Sequence, residues 1–464
     1  MKGVEQMGKK WIIIYASALI LLPFLLLFVI RLKAPAEIMT PPGLSGQNAL
    51  IQEAFEASVK DKNNIILKYP STGDYRSAFV TKDIDGDNEE EVLVFYTLKT
   101  DEATVRINVL DLIDGEWVSV YDDTGYGSEV ASVTFADFNN DGRSEIVIGW
   151  SLYEANASKV MTVHTVNVSD GKVRGLDTAV NQSYSYMGIA DMDSDGKDEI
   201  LVTWLDNSDT KLQKSYASLL KMSDDKSITP VGNTVSLDGS VSAYASLKIQ
   251  KIDKNRAIAY LDAYKGDDSM ITEVIWWDSN AHALVAPLLD PETLSNLKTL
   301  RSPAVPSLDI DKDGIIEIPV NEYSSTDRES TPVSSSQTNA GETKLNLITW
   351  CEMTPDGLRP KRYSFVNNAI GYAFILDERI KDKIVVYRQT DKGVVTFYDS
   401  EDGTKKHEPL FTLSVKRKNE FSKNETYTFK VVSGEYVVFG SITSAGQKMG
   451  FTDESIENSV VFFK

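Results

Sequence analysis

A nine-residue acidic pattern recurs along this chain and limits what it can fold into. It reads DIDGDNEEE from Asp83, DFNNDGRSE from Asp137, DMDSDGKDE from Asp191 and DIDKDGIIE from Asp309. Each copy places oxygen-bearing side chains at positions 1, 3 and 5 and Glu at position 9. The first three copies start 54 residues apart, and the last follows after 118, twice 59. That double interval leaves room for a unit without the acidic pattern, and LKIQKIDKNRAIAYLDAY around Asp253 fits the place. Five units therefore run from about Leu67 to Asn367. Each pattern leads into an apolar, β-branched run such as Ile146-Val147-Ile148 or Ile200-Leu201-Val202. Tyr96, Trp150 and Trp204 lie five residues past the Glu, and Asp114-Gly115 and Asp170-Gly171 signal turns between further strands. Repeats of about 40 to 60 residues holding several short strands predict an all-β fold of propeller blades rather than a helical solenoid. A series of β-sandwiches is the alternative. The Ser/Thr-rich stretch from Ser324 to Glu342 reads as an excursion between strands.

Oxygens at alternate positions converge when the backbone curls around a point, and hard oxygen ligands suit Ca²⁺, which takes roughly 6–8 of them. Gly142, Gly196 and Gly314 at position 6 permit the positive φ of a sharp turn. In the first copy Gly86 stands at position 4 and Asn88 takes position 6, where Asn tolerates a left-handed backbone. The expected ligands are Asp83, Asp85, Asp87 and Glu91; Asp137, Asn139, Asp141 and Glu145; Asp191, Asp193, Asp195 and Glu199; and Asp309, Asp311, Asp313 and Glu317. Position 7 is left to offer a backbone carbonyl. Four acidic β-turns without metal are the bland reading, but crowded carboxylates in periodic register repel one another unless a cation neutralises them. About four structural Ca²⁺ sites are expected.

These D-x-D-x-D-G-x-x-E loops leading into a strand resemble the FG-GAP repeats of integrin α-subunit propellers and the related VCBS-type repeats of bacterial surface proteins. The resemblance covers roughly 300 residues and rests on the loop motif. It implies a β-propeller with Ca²⁺ held in its loops. Two departures stand out: the unit near Asp253 lacks the ligands, and five units are detected where integrins have seven blades.

Ahead of the repeats, Trp11 to Ile30 are twenty uncharged, mostly apolar residues, enough to span a bilayer as a helix. Lys9, Lys10, Arg31 and Lys33 flank them, and Trp11 and Tyr15 suit an interfacial belt. A cleavable signal peptide, cut near Ala34-Pro35-Ala36, is the competing reading. The expected organisation is a cytoplasmic tail (1–10), a transmembrane helix (11–30), a Pro/Gly linker (31–46), an amphipathic helix (47–62) and the propeller (63–367). Residues 368–464 then form a small α+β domain or further blades.

Composition narrows the function. The net charge is −20, which excludes a nucleic-acid binder working by phosphate neutralisation. Eighteen acids against three bases (Arg143, Lys197, Lys312) lie inside the four loops, so most of the negative charge has one address. The single cysteine, Cys351, excludes an internal disulfide and reads as a small buried hydrophobe. No nucleophile elbow, phosphate loop or zinc motif occurs. Tyr184 with Tyr186, or Trp276 with Trp277, could form a ligand platform, although strand aromatics of this kind more often fill a core. The expectation is a membrane-tethered extracytoplasmic module, not an enzyme, that binds a protein or glycan where calcium is plentiful. A cell-surface polysaccharide lyase or glycoside hydrolase on the same scaffold is the alternative.

Overall fold

Runs such as Glu91–Leu98 and Glu145–Ser151 are apolar at nearly every position, so both faces of each strand need cover. The computed structural model shows how they obtain it. It describes residues 46–152, 159–208, 213–253, 256–321, 338–339, 341–389, 393–401, 406–422 and 425–463. The segment Trp11–Ile30, read as a membrane span, lies outside the described residues; among those described, no helix is long and apolar enough to cross a membrane.

Six antiparallel sheets follow one another along the chain. The first contains Phe79–Lys82, Glu91–Leu98, Asp101–Ile113 and Glu116–Thr124, with Ile65–Leu67 completing the edge beside Phe79–Lys82. The second runs Glu129–Ala136, Glu145–Ser151, Lys159–Ser169 and Lys172–Tyr184. The third runs Tyr186–Ala190, Glu199–Asp206, Lys214–Met222 and Ile228–Leu237. The fourth is the unit without an acidic loop: Ala243–Asp253, Arg256–Tyr264, Met270–Asp278 and Ala283–Val285. Glu317–Asn321, Ile348–Thr354, Gly357–Asn367 and Tyr372–Leu376 build the fifth, which also receives Val460–Phe462.

The sheets stack face to face in chain order, a propeller-like arrangement. Alternate residues of one strand serve opposite neighbours. In the second sheet Ile146, Ile148 and Trp150 pack against Leu93 and Phe95 of the first, while Val147 turns toward Ile200 and Val202 of the third. Leu201 faces the other way, to Ala259 and Leu261 of the fourth. Tyr260 and Val274 meet Ile318, Val320 and Cys351 of the fifth in the same fashion. Cys351 is fully buried, and burial pushes its thiol up to about 12. Tyr184 and Trp277 also belong to these cores.

The outer face of the first sheet has no sheet against it within its core cluster. Helix α1 (Gln47–Ser58) covers it instead, setting Ile51 and Phe55 on Val92, Val94, Tyr96 and Leu110. The helix ends at Ser58, not at residue 62: Val59 is extended, and Asp61 caps a separate short turn by accepting from the Asn63 amide at 3.0 Å.

The division expected at residues 367/368 is crossed by the chain. A sixth sheet of seven strands takes Thr338–Asn339 and Glu342–Leu345 from before that point, with Ile384–Gln389, Val395–Asp399, Pro409–Arg417, Phe429–Ser433 and Tyr436–Gly440 after it. In return Val460–Phe462 pairs with Tyr372–Phe374 in the fifth sheet. Phe365 and Phe374 share one core with Phe397, Phe411 and Ile456. The physical reason is exchange of strands: neither sheet is complete without a segment from the other side of the boundary. Two short helices, α2 (Ser444–Met449) and α3 (Asp453–Ser459), close this end.

Candidate metal centre

The first three acidic loops join the first strand segment of their sheet to the next one in, and the fourth leads from Leu308, which makes an isolated bridge to Glu317, into the strand Glu317–Asn321. Their backbones are alike. Position 6 is left-handed in all four, at Asn88, Gly142, Gly196 and Gly314 (φ 72°, 83°, 89° and 90°). Position 4 is left-handed as well, at Gly86, Asn140, Ser194 and Lys312 (φ 83°, 59°, 64° and 60°). The second feature was invisible in sequence, because Ser and Lys have no preference for that conformation.

Consecutive loops lean on one another through these two positions. A Cβ at Gly86 would stand 2.5 Å from the Gly142 carbonyl oxygen, and Asn140 Nδ2 donates to the Gly196 carbonyl at 3.1 Å. In the fourth sheet Gln250 fills the gap, donating to the Gly314 carbonyl and accepting from the Ile316 amide at 2.9 Å. This contact sets up a comparison. Gly142→Ala meets open space and should cost about 1 kcal/mol, the strain of a left-handed alanine. Gly86→Ala adds a backbone clash and should cost at least about 2 kcal/mol more in denaturant unfolding. Equal losses would remove the claim that the loops dock.

Side chains complete the curl. Asp83 accepts from the amides of Gly86 (2.8 Å) and Asn88 (3.0 Å), Asp137 from Asp141 (3.1 Å) and Gly142 (2.8 Å), and Asp309 from Asp313 (3.0 Å) and Gly314 (2.8 Å). In the first three loops position 3 also caps position 5, as in Asp193 accepting from the Asp195 amide at 3.2 Å. The position-9 glutamates use one oxygen to accept the amide of position 2, at Ile84, Phe138, Met192 and Ile310, over 2.9–3.0 Å. Those position-2 side chains are buried apolar anchors. The other oxygen of each Glu is left for a second partner, which for Glu317 is Lys361 at 2.8 Å.

All four glutamates are essentially inaccessible to solvent. Burial raises their carboxyl pKa, to about 8 for Glu91 and about 7 for Glu145 and Glu199, and upward for Glu317. The neighbouring aspartates push Glu91 further in the same direction.

Three of the loops bring carboxylate oxygens within 4.8 Å of one another: Asp83, Asp85 and Glu91; Asp191, Asp193 and Glu199; and Asp309, Asp311, Asp313 and Glu317. Asp87 and Asp195 stand outside these groups. In the second loop Asn139 holds position 3 and donates to Asp141 Oδ2 at 3.3 Å, and Asp137, Asp141 and Glu145 form no comparable group among the described residues.

The loops differ in what stands against them. Asp111 follows Leu110, the partner of Val92, and so lies across from Glu91 in the first sheet. It is buried and adds to the negative surroundings of Asp85 and Glu91. Among the described residues no ion pair reaches Asp83, Asp85, Asp87, Glu91 or Asp111. Asp85 Oδ2 and Glu91 Oε1 are buried with no hydrogen-bond partner; so are Asp191 Oδ1, Glu199 Oε1 and both Asp311 oxygens, but in those loops a cation stands close by. In the third loop Lys221 approaches Asp193, Asp195 and Glu199, and in the fourth Lys361 approaches Asp311, Asp313 and Glu317. Sequence reading missed both lysines and Asp111.

No protein-family model matches this chain, and no curated protein is significantly similar to it. Several solved structures are similar at low identity. A protein from Lactobacillus plantarum is 10% identical with a TM-score of 0.28, over 74% of this chain and 85% of its own. The rhamnogalacturonan lyase YesW is 14% identical with a TM-score of 0.28, over 75% and 77%. Saccharomyces cerevisiae Sqt1 is 9% identical with a TM-score of 0.28, over 82% and 100%. At these scores the likenesses assign nothing to the present chain beyond what its own sheets show.

Proposed function

We propose that this chain is a membrane-anchored, extracytoplasmic binding module whose propeller-like sheets are held in place by Ca²⁺ in the acidic loops. The observation that carries the metal is the first loop. Two carboxylate oxygens, Asp85 Oδ2 and Glu91 Oε1, are buried without a partner beside Asp83. An unpaired buried charge is costly, and a divalent cation with oxygen ligands removes that cost. Asp83, Asp85 and Glu91 would hold the ion, which supplies charge neutralisation and cross-links the strands on either side of the loop. Modest-affinity calcium sites are useful outside the cell, which supports repeats on the outer side and the residues before Trp11 in the cytoplasm. Loops at the sheet ends are then the surface offered to a protein or glycan.

The anchor and the orientation are tested together. Protease added to intact cells should degrade the repeats, and repeats sheltered until the cells are lysed would overturn the assignment. The chain should release no new reducing ends and no unsaturated products from a panel of acidic and neutral glycans. Sustained turnover lost on replacing one carboxylate outside the loops would instead make it a lyase or hydrolase.

A further inference from the structure

The four loops share a backbone but not a cation. In the third, Lys221 Nζ lies 2.6 Å from Asp193 Oδ2, 2.6 Å from Asp195 Oδ2 and 3.0 Å from Glu199 Oε1. An ammonium among three carboxylates of positions 3, 5 and 9 stands where those groups would present oxygens to a metal. In the fourth, Lys361 Nζ lies 2.8 Å from Glu317 Oε1, 2.8 Å from Glu352 Oε1 and 3.5 Å from Asp311 Oδ1, and it also pairs with Asp313. Arg362 adds a second cation, 2.9 Å from Asp311 Oδ2.

The two lysines arrive by different routes. Lys221 follows Leu220, the partner of Ile200, and so stands on the strand beside Glu199. Lys361 comes from one strand further out. There the register jumps between Trp350–Arg362 and Cys351–Pro360, and the extra residue of that bulge is Lys361. The position that Lys221 holds is Glu352 in the fifth sheet and Asp111 in the first. Two separate solutions thus deliver one ammonium each to the third and fourth loops, and the first loop receives a further carboxylate.

We propose that Lys221 and Lys361 are resident cations that take the place of the metal in the third and fourth loops, so that metal binding is confined to the first loop; the second gathers no comparable carboxylate group among the described residues and has Lys226 Nζ 3.7 Å from Asp141 Oδ2. This rests on the calcium reading only for the first loop; the lysine assignment concerns the third and fourth. A compact ammonium has three donors and needs no external supply; Lys221 gives hydrogen bonds to Asp193 and Asp195 and forms an ion pair with Glu199. A solvent-open hollow of about 600 Å³ lined by Asp193, Asp195, Lys221, Trp277 and His282 gives ions a path to the third loop once the lysine is gone.

The test counts bound Ca²⁺ on the full-length purified chain by equilibrium dialysis against Ca²⁺ alone. Lys221→Met and Lys361→Met should each gain one bound ion over the wild type, and the double variant two. Both should melt lower than the wild type in chelator and recover when Ca²⁺ is added. Lys221→Arg keeps the charge and should gain none, which separates charge from shape if the methionine variants fold only with Ca²⁺ present. Wild-type chain that loses one bound ion on Glu199→Gln would overturn the proposal, since the third loop would then hold metal beside its lysine. No added ion in either methionine variant would overturn it equally. The calcium reading fails by a different result, namely a wild-type count that Glu91→Gln leaves unchanged.

Discussion

Removal of Ca²⁺ by a strong chelator is expected to lower the melting temperature of the purified chain by about 3 to 5 °C. A ligand present at a hundred times its dissociation constant stabilises by about 2.7 kcal/mol, and each kcal/mol moves a large domain by only a degree or two. The loss should be concentrated in the first sheet. There Glu91 and Asp85 carry unpartnered buried oxygens, Asp111 adds charge, and among the described residues no lysine pairs with them. Glu91→Gln removes the charge but keeps an oxygen able to accept the Ile84 amide. This variant should therefore resemble the calcium-free wild type and respond little to further chelation. Differential scanning calorimetry with and without chelator makes the comparison. Identical wild-type curves would end the case for a structural metal.

Arg301→Met should cost about 3–5 kcal/mol, because it strands a charge in the interior. Arg301 and Asp262 are both fully buried, and they pair at 3.0 Å. The Arg301 guanidinium also donates to the Val305 carbonyl at 2.6 Å and the Thr299 carbonyl at 3.1 Å. Asp262 accepts from Thr272 Oγ1 (2.6 Å), Ser246 Oγ (2.9 Å) and the Ser307 amide and hydroxyl (3.0 Å each). Together these bonds tie the fourth sheet to the segment that leads into the loop at Asp309. The double variant Asp262→Asn/Arg301→Met should recover part of the loss, since it leaves no lone charge. Denaturant unfolding of the four members of the cycle reads the coupling. Additive losses would mean that the pair does not act as a unit.

Much of the site could be read in advance because it is local. Oxygens at positions 1, 3, 5 and 9 lie within nine consecutive residues, and left-handed Gly or Asn at position 6 follows from the same short stretch. The continuous apolar runs likewise announce strands buried on both faces, as Ile146, Val147 and Ile148 show by serving two different cores. The unit near Asp253 was legible from spacing alone, although its loop residues are absent.

The partners of the loops could not be read this way. Lys221 lies 22 residues beyond Glu199, and Lys361 lies 44 beyond Glu317. No common spacing links them, since one comes from a neighbouring strand and the other from a bulge one strand further out. The sixth sheet was hidden for a similar reason. Glu342–Leu345 and Val460–Phe462 are short and change places between two sheets, which no period in the chain records. The sequence by itself therefore determined the strands, the repeat and the curl of each acidic loop, all of which depend on neighbours along the chain. Only the tertiary structure decided which charge faces each loop, because that depends on strand register, and register is settled by packing between residues far apart in sequence.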